Sequence, residues 1–172
     1  YACDLNQTPN LSDPQPMKRN HIPDLLAYQP VEAWQPPVNK FMKWALKKLE
    51  AGHHIYTRVE GGKVTQYGWL IEPQGQKPSA EDEQGLVLPG DSALLADFYT
   101  YSQGQNLSGP SLCQMLRDAA GAPGIKQVYI CVPVDNRGLR QIVEEADFTY
   151  QYSLFKKNVL GRVTSWSSGK EQ

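Results

Sequence analysis

Residues 54–71 narrow the folds open to this chain more than any other stretch. His54–Glu60 reads HIYTRVE and Val64–Ile71 reads VTQYGWLI, two runs rich in β-branched and aromatic side chains. Between them lies Gly61-Gly62, a pair suited to a tight turn with positive φ. A hairpin of this kind commits its strands to antiparallel pairing. The chain that follows makes the opposite commitment. Ser92–Tyr101 (SALLADFYTY) reads as a largely buried strand. Leu112, Met115, Leu116 and Ala119 then recur at helical spacing, and Gln127–Val132 (QVYICV) reads as a second buried strand. A strand–helix–strand crossover returns the chain parallel. The two commitments together require a mixed sheet with helices on its faces.

The remaining elements extend this plan. In Val38–Ala51 the apolar residues Phe41, Trp44, Ala45 and Leu49 mark one helix face, and Gly52 is a natural stop. Another helix has the face Leu139, Ile142, Val143 and Ala146, with Asp135 or Asn136 able to cap its start. Gly121 and Pro123 end the helix before it. Phe148–Lys156 alternates like a strand, and a last strand is expected over Val159–Trp166. Residues 1–37 hold seven of the thirteen prolines, which rules out a long helix or a central strand there. A short strand at Tyr1–Leu5 and a short helix near Pro23–Tyr28 fit, with extended coil packed over the domain between them. The plan is therefore an α/β (α+β) fold with a mixed, mostly antiparallel twisted sheet and helices on both faces. Its parts are a Pro-rich segment over 1–37, a core over 38–166 and a loose tail over 167–172.

Composition excludes several function classes. Net charge is −1, so no surplus of Lys or Arg is available to neutralise phosphates, and nucleic acid is not an expected partner. No apolar run approaches the ~20 residues of a membrane helix. No basic-then-apolar leader opens the chain. Cys3, Cys113 and Cys131 fit no zinc spacing, and buried free thiols in a reducing, cytoplasmic setting are the plain reading. A homodimer, or a place within a larger protein, is compatible with all of this.

The stretch between the central strand and its helix carries the chemistry. Gln103-Gly104-Gln105-Asn106-Leu107-Ser108-Gly109 is small and polar. Helix N-termini expose unpaired N–H groups and the positive end of the macrodipole, which together attract phosphate. The loop lacks the Lys-[Ser/Thr] pair of a Walker A motif and the glycine spacing of a dinucleotide fingerprint.

Two segments then match a known pattern. The loop Gln103-Gly104-Gln105-Asn106-Leu107-Ser108 aligns with [Gln/Arg]-x-x-Gly-x-[Gly/Ala]. Asn136-Arg137-Gly138-Leu139-Arg140-Gln141-Ile142-Val143-Glu144-Glu145-Ala146-Asp147-Phe148 aligns with Asn-x-x-[Ala/Ser]-x-x-Leu-Tyr-x-[Lys/Arg]-x-Gly-Phe. In this order and at this separation they resemble a divergent member of the GNAT (N-acetyltransferase) superfamily. The resemblance implies acetyl-CoA, or another acyl-CoA, as co-substrate, and no metal. It implies a gap between the central strand and its parallel neighbour. The pantetheine arm would lie along Phe98–Thr100 and the pyrophosphate on amides of Gln103, Gly104, Gln105, Asn106, Leu107 and Ser108. Asn136 would position that arm or start its helix. The acceptor would be an amine or hydroxyl of a small molecule or protein.

The departures bear on activity. Asn106 and Ser108 replace loop glycines and Gln103 replaces an Arg of many relatives, so weaker coenzyme binding is expected. Val143 stands where many relatives place a Tyr that protonates the leaving thiolate, and valine has no proton to give. Asp147 stands where Gly usually turns the chain. For the catalytic base, Asp97 on the central strand is the first candidate, with Tyr99 beside it as acid or wall. His54, Tyr56, Tyr67, Trp69 and the acidic run Glu81-Asp82-Glu83 are open candidates for the acceptor side. Two readings follow: an acyl-CoA-dependent N-acyltransferase working by direct attack on the thioester, or a catalytically degenerate domain serving as acyl-CoA sensor or interaction module.

Overall fold

The computed structural model describes residues 1–6, 17–33, 35–72, 88–100, 109–159 and 162–169. In chain order the elements are β1 (Ala2–Asp4), β2 (Lys18–Arg19), α1 (Ile22–Leu25), α2 (Val38–Glu50), β3 (His54–Glu60), β4 (Lys63–Ile71), β5 (Ser92–Thr100), α3 (Gly109–Ala120), β6 (Gln127–Ile130), α4 (Arg137–Glu145), β7 (Tyr152–Val159) and β8 (Arg162–Gly169).

The hairpin forms as its sequence dictates. Glu60 pairs with Lys63, and Gly61 and Gly62 turn the chain with φ of 56° and 75°. Positive φ at both central residues is the type I′ geometry, whose twist matches that of the strands. β4 pairs antiparallel with β5, and β5 pairs parallel with β6 across the α3 crossover. The main sheet has six strands in the order β1-β6-β5-β4-β3-β2, and β5–β6 is its parallel pair. This is the mixed, mostly antiparallel sheet that the hairpin and the crossover require.

Alternation along the strands splits the core in two. One cluster lies under α3 and α4 and joins Tyr56, Leu70, Ala93, Leu95, Val128 and Ile130 to Leu112, Met115, Leu116, Leu139 and Val143. The other lies under α1 and α2 and joins Ile55, Val64, Tyr67, Trp69 and Tyr99 to Leu25, Tyr28, Phe41 and Ala45. Helices therefore cover both faces.

Several details differ from the sequence expectation. The strand expected over Tyr1–Leu5 forms as β1 on one edge of the sheet, but the Pro-rich segment also supplies an unexpected strand, β2, on the other edge. β1 pairs with β6, and β2 pairs with β3. A two-residue strand such as Lys18–Arg19 has no periodicity to read, so pairing with β3 alone defines it. β6 ends at Ile130, before Val132. Thr149 bridges Ala2, and β7 begins only at Tyr152. β7 and β8 pair with each other as a separate two-stranded sheet, and β8 runs to Gly169, into the stretch expected to be loose.

Candidate functional site

The centre of the sheet carries an irregularity with two consequences. Ala96 of β5 faces Trp69 of β4, and Tyr99 faces Tyr67. Asp97 and Phe98 together therefore oppose Gly68 alone, which is a β-bulge. Asp97 takes the extra turn with φ of 52°. Asp tolerates this left-handed region better than most L residues. On the other edge of β5 the ladder to β6 covers Ser92–Leu95 and closes with Leu95 opposite Ile130. From Ala96 to Thr100, β5 continues beside β4 with no β6 residue in register. The ladder thus ends where β6 ends, at Ile130, and β5 continues from Ala96 to Thr100 beside β4.

Side chains around the bulge point to opposite faces. Phe98 packs toward α3 and α4, with its ring laid over Gly68. A Cβ on Gly68 would come within 2.7 Å of that ring and 3.4 Å of Met115 Cε. At the end of β5, Ser111 in the first turn of α3 donates to Gln66 Oε1 at 3.0 Å, and both residues are buried. Gln66 is the register partner of Thr100. That hydrogen bond ties the first turn of α3 to β4 beside Thr100, the end of β5. Gln103, Gly104, Gln105, Asn106, Leu107 and Ser108 lie outside the described residues. Asn136 caps α4, its Oδ1 accepting from the Leu139 amide at 3.0 Å.

The α2 side of the bulge is aromatic. Tyr99 is buried against Tyr67, with ring centroids 5.3 Å apart and planes 29° apart. Tyr28 stacks on Phe41 at 3.7 Å, and Trp44 meets Trp69 edge-on at 5.3 Å. Burial pushes the Tyr67 hydroxyl well above the usual tyrosine range. Trp69 is fully buried, and its Nε1 has no hydrogen-bond acceptor among the described residues. Asp97 is held from α2: Lys48 Nζ lies 2.5 Å from its Oδ2. The same ammonium stands 4.3 Å from the centre of the Trp44 ring and 5.3 Å from that of Trp69.

The other sequence candidates fall elsewhere. His54 belongs to a polar network on the α3 side of the sheet. Its Nδ1 meets Asn20 at 2.8 Å and its Nε2 meets Glu72 at 3.3 Å. Two residues along β3, Tyr56 donates to Asp118 of α3 at 2.6 Å. His54 and Asp97 thus serve opposite faces. Val143 is fully buried in the core beneath α4, as its apolar side chain requires. Glu81, Asp82 and Glu83 lie outside the described residues. Sequence reasoning passed over Lys48, Gly68 and Gln66. Trp44 and Lys48 stand at i and i+4 on a helix, a spacing that stacks side chains, so that pair was legible. Gly68 and Gln66 were not, because only the strand register sets what they oppose.

Among the described residues no helix is long and apolar enough to cross a membrane, and no three His, Cys, Asp or Glu side chains gather in a way that could hold a metal ion.

No family model matches this chain, and no curated protein does. Solved structures do. An N-acetyltransferase from Staphylococcus aureus Mu50 superposes with a TM-score of 0.50 at 12% identity, over 78% of each chain. A ribosomal-protein-alanine N-acetyltransferase from Brucella melitensis superposes with a TM-score of 0.51 at 11% identity, over 78% of this chain and 79% of its own. At such identities the likeness speaks for the fold alone. This chain has a divergent GNAT-type fold.

Proposed function

We propose that the protein is an acyl-CoA-dependent N-acyltransferase in which an acceptor amine attacks the thioester directly. One observation carries the reading: β6 ends opposite Leu95 while β5 continues to Thr100 beside β4, so that residues 96–100 have no β6 partner. Strands rarely forgo pairing inside a sheet without another partner for their backbone groups. The amide groups of a pantetheine arm suit the edge from Ala96 to Thr100, with Phe98 and Thr100 alongside it. The pyrophosphate would lie at the α3 opening, on the loop from Gln103 to Ser108, where unpaired amides and the helix dipole favour an anion. Asn136 supports the arrangement from behind by starting α4. Asp97, in the bulge, would accept the proton of an acceptor amine. Tyr99 forms the wall beside it. Clamping both reactants would supply much of the rate through proximity.

Val143 favours a second reading, a domain that binds acyl-CoA without turnover. It is buried and offers no proton to the departing thiolate. Two measurements separate the readings. Acetyl-CoA at 100 times its dissociation constant should stabilise the fold by about 2.7 kcal/mol, seen as a raised melting temperature. Thiol release with amine acceptors should accompany that shift if the protein is an enzyme and be missing if it is a sensor. No shift with any coenzyme A species would remove both readings.

A further inference from the structure

The carboxylate assigned above as the base already holds an amine. Lys48 Nζ lies 2.5 Å from Asp97 Oδ2, and the faces of Trp44 and Trp69 close around it at 4.3 and 5.3 Å. A carboxylate with two indole rings is what a primary ammonium selects: an opposite charge and the negative faces of aromatic rings. The Lys48 side chain is one-fifth exposed, whereas Lys40, Lys43 and Lys47 of the same helix stand in solvent. Asp97 lies two residues beyond Leu95, the last β5 residue paired with β6, so this ammonium is held beside the segment of β5 that continues without β6. The indole N–H of Trp69, in the ring that Lys48 overlies, is buried without an acceptor among the described residues.

We propose that Lys48 is an acyl acceptor within its own chain, modified at Nζ by the acyl group of the coenzyme thioester. The inference rests on the coenzyme reading above. In the step, Asp97 takes one proton from the Lys48 ammonium. The freed amine attacks the thioester carbonyl, the N–C bond forms and the C–S bond breaks. The thiolate leaves and collects a proton, so the products are an Nζ-acyl-lysine, free coenzyme A and one proton. No oxidant or further reactant is needed. Acylation removes the charge that binds Lys48 to Asp97 and to the two rings. The modified chain therefore has an Asp97 without its counter-ion, open to an external ammonium. A lysine-like primary amine is the acceptor class that this environment fits.

The test is peptide mapping by mass spectrometry after incubating the full chain with isotopically labelled acetyl-CoA, alongside a melting curve in the same mixture. One acetyl group should appear on Lys48 well ahead of Lys40, Lys43 and Lys47. Lys48→Arg keeps the ion pair and should abolish that label. Asp97→Asn keeps a side chain that tolerates positive φ and should slow labelling of Lys48 by about 10²-fold, the usual scale of a lost general base. Equal labelling of all four lysines, or unchanged labelling of Lys48 in Asp97→Asn, overturns the assignment. An unlabelled Lys48 in a chain whose melting temperature rises with acetyl-CoA overturns it while sparing the coenzyme reading. Neither label nor shift overturns both.

Discussion

Three non-glycine residues among those described adopt positive φ: Asn20 at 53°, Asp97 at 52° and Asp147 at 60°. All are Asn or Asp, the types that strain least in that region. Each sits where the fold demands a sharp change of direction. Asp147 permits a direct comparison, because α2 and α4 end alike. After α2, the Gly52 amide bonds to Leu49 and the His53 amide to Lys48. After α4, the Asp147 amide bonds to Glu144 and the Phe148 amide to Val143. Both are Schellman caps, one with the preferred glycine and one with aspartate. Replacing Asp147 by Gly should therefore stabilise the protein by about 1 kcal/mol. For a chain of this length that raises the melting temperature by roughly 3 °C. A melting curve that falls instead would show that the aspartate side chain matters more than its backbone strain. The motif comparison had marked Asp147 as the place of a usual glycine, so its special conformation was legible from sequence. The role of Asn20 was not, since its side chain bonds to His54 and to the Ile55 amide, far along the chain.

At the scale of elements, β5 decides the site. Its continuous apolar run marks it as a buried strand, yet nothing in that run announces a bulge. The bulge comes from the pairing of Asp97 and Phe98 against Gly68, whose missing side chain makes room for the Phe98 ring. Gly68→Ala should cost about 1–3 kcal/mol, the range for forcing extra volume into a packed site. The Phe98 ring must tilt to admit the new methyl group. Chemical denaturation measures the loss, and a double-mutant cycle with Phe98→Ala tests the cause. Removing the ring should relieve most of the Gly68→Ala penalty, giving a strong coupling between the two changes. Additive effects would mean that the two residues do not collide, and that the bulge has another origin. The opening of α3 depends likewise on a distant partner, Gln66, which only the strand register brings under Ser111.

For the whole molecule, pH reports how the two faces are wired. On the α3 face, burial and the nearby Arg19 hold the His54 imidazole below its ordinary pKa of 6.5, outweighing the pull of Glu72 and Asp118. The unfolded chain then binds a proton more readily than the folded one. Stability should fall as pH drops through 6.5 and level off once folded His54 is protonated too. Urea unfolding between pH 8 and 5 should show this slope in the native protein and a shallower one in His54→Gln. Identical slopes would show that His54 does not link folding to pH. The sequence by itself determined the hairpin with its two-glycine turn, the three longer helices and the mixed sheet that hairpin and crossover together demand. Those features rest on residues close together along the chain, where periodicity and turn chemistry act directly. Tertiary structure alone decided that the Pro-rich start lies at both edges of the sheet, that β5 outruns β6 beyond Leu95, and that Lys48 meets Asp97 over two indole rings. These depend on which strands pair and in what register. Register is a compromise among side chains packed from the whole length of the chain, and no local window contains it.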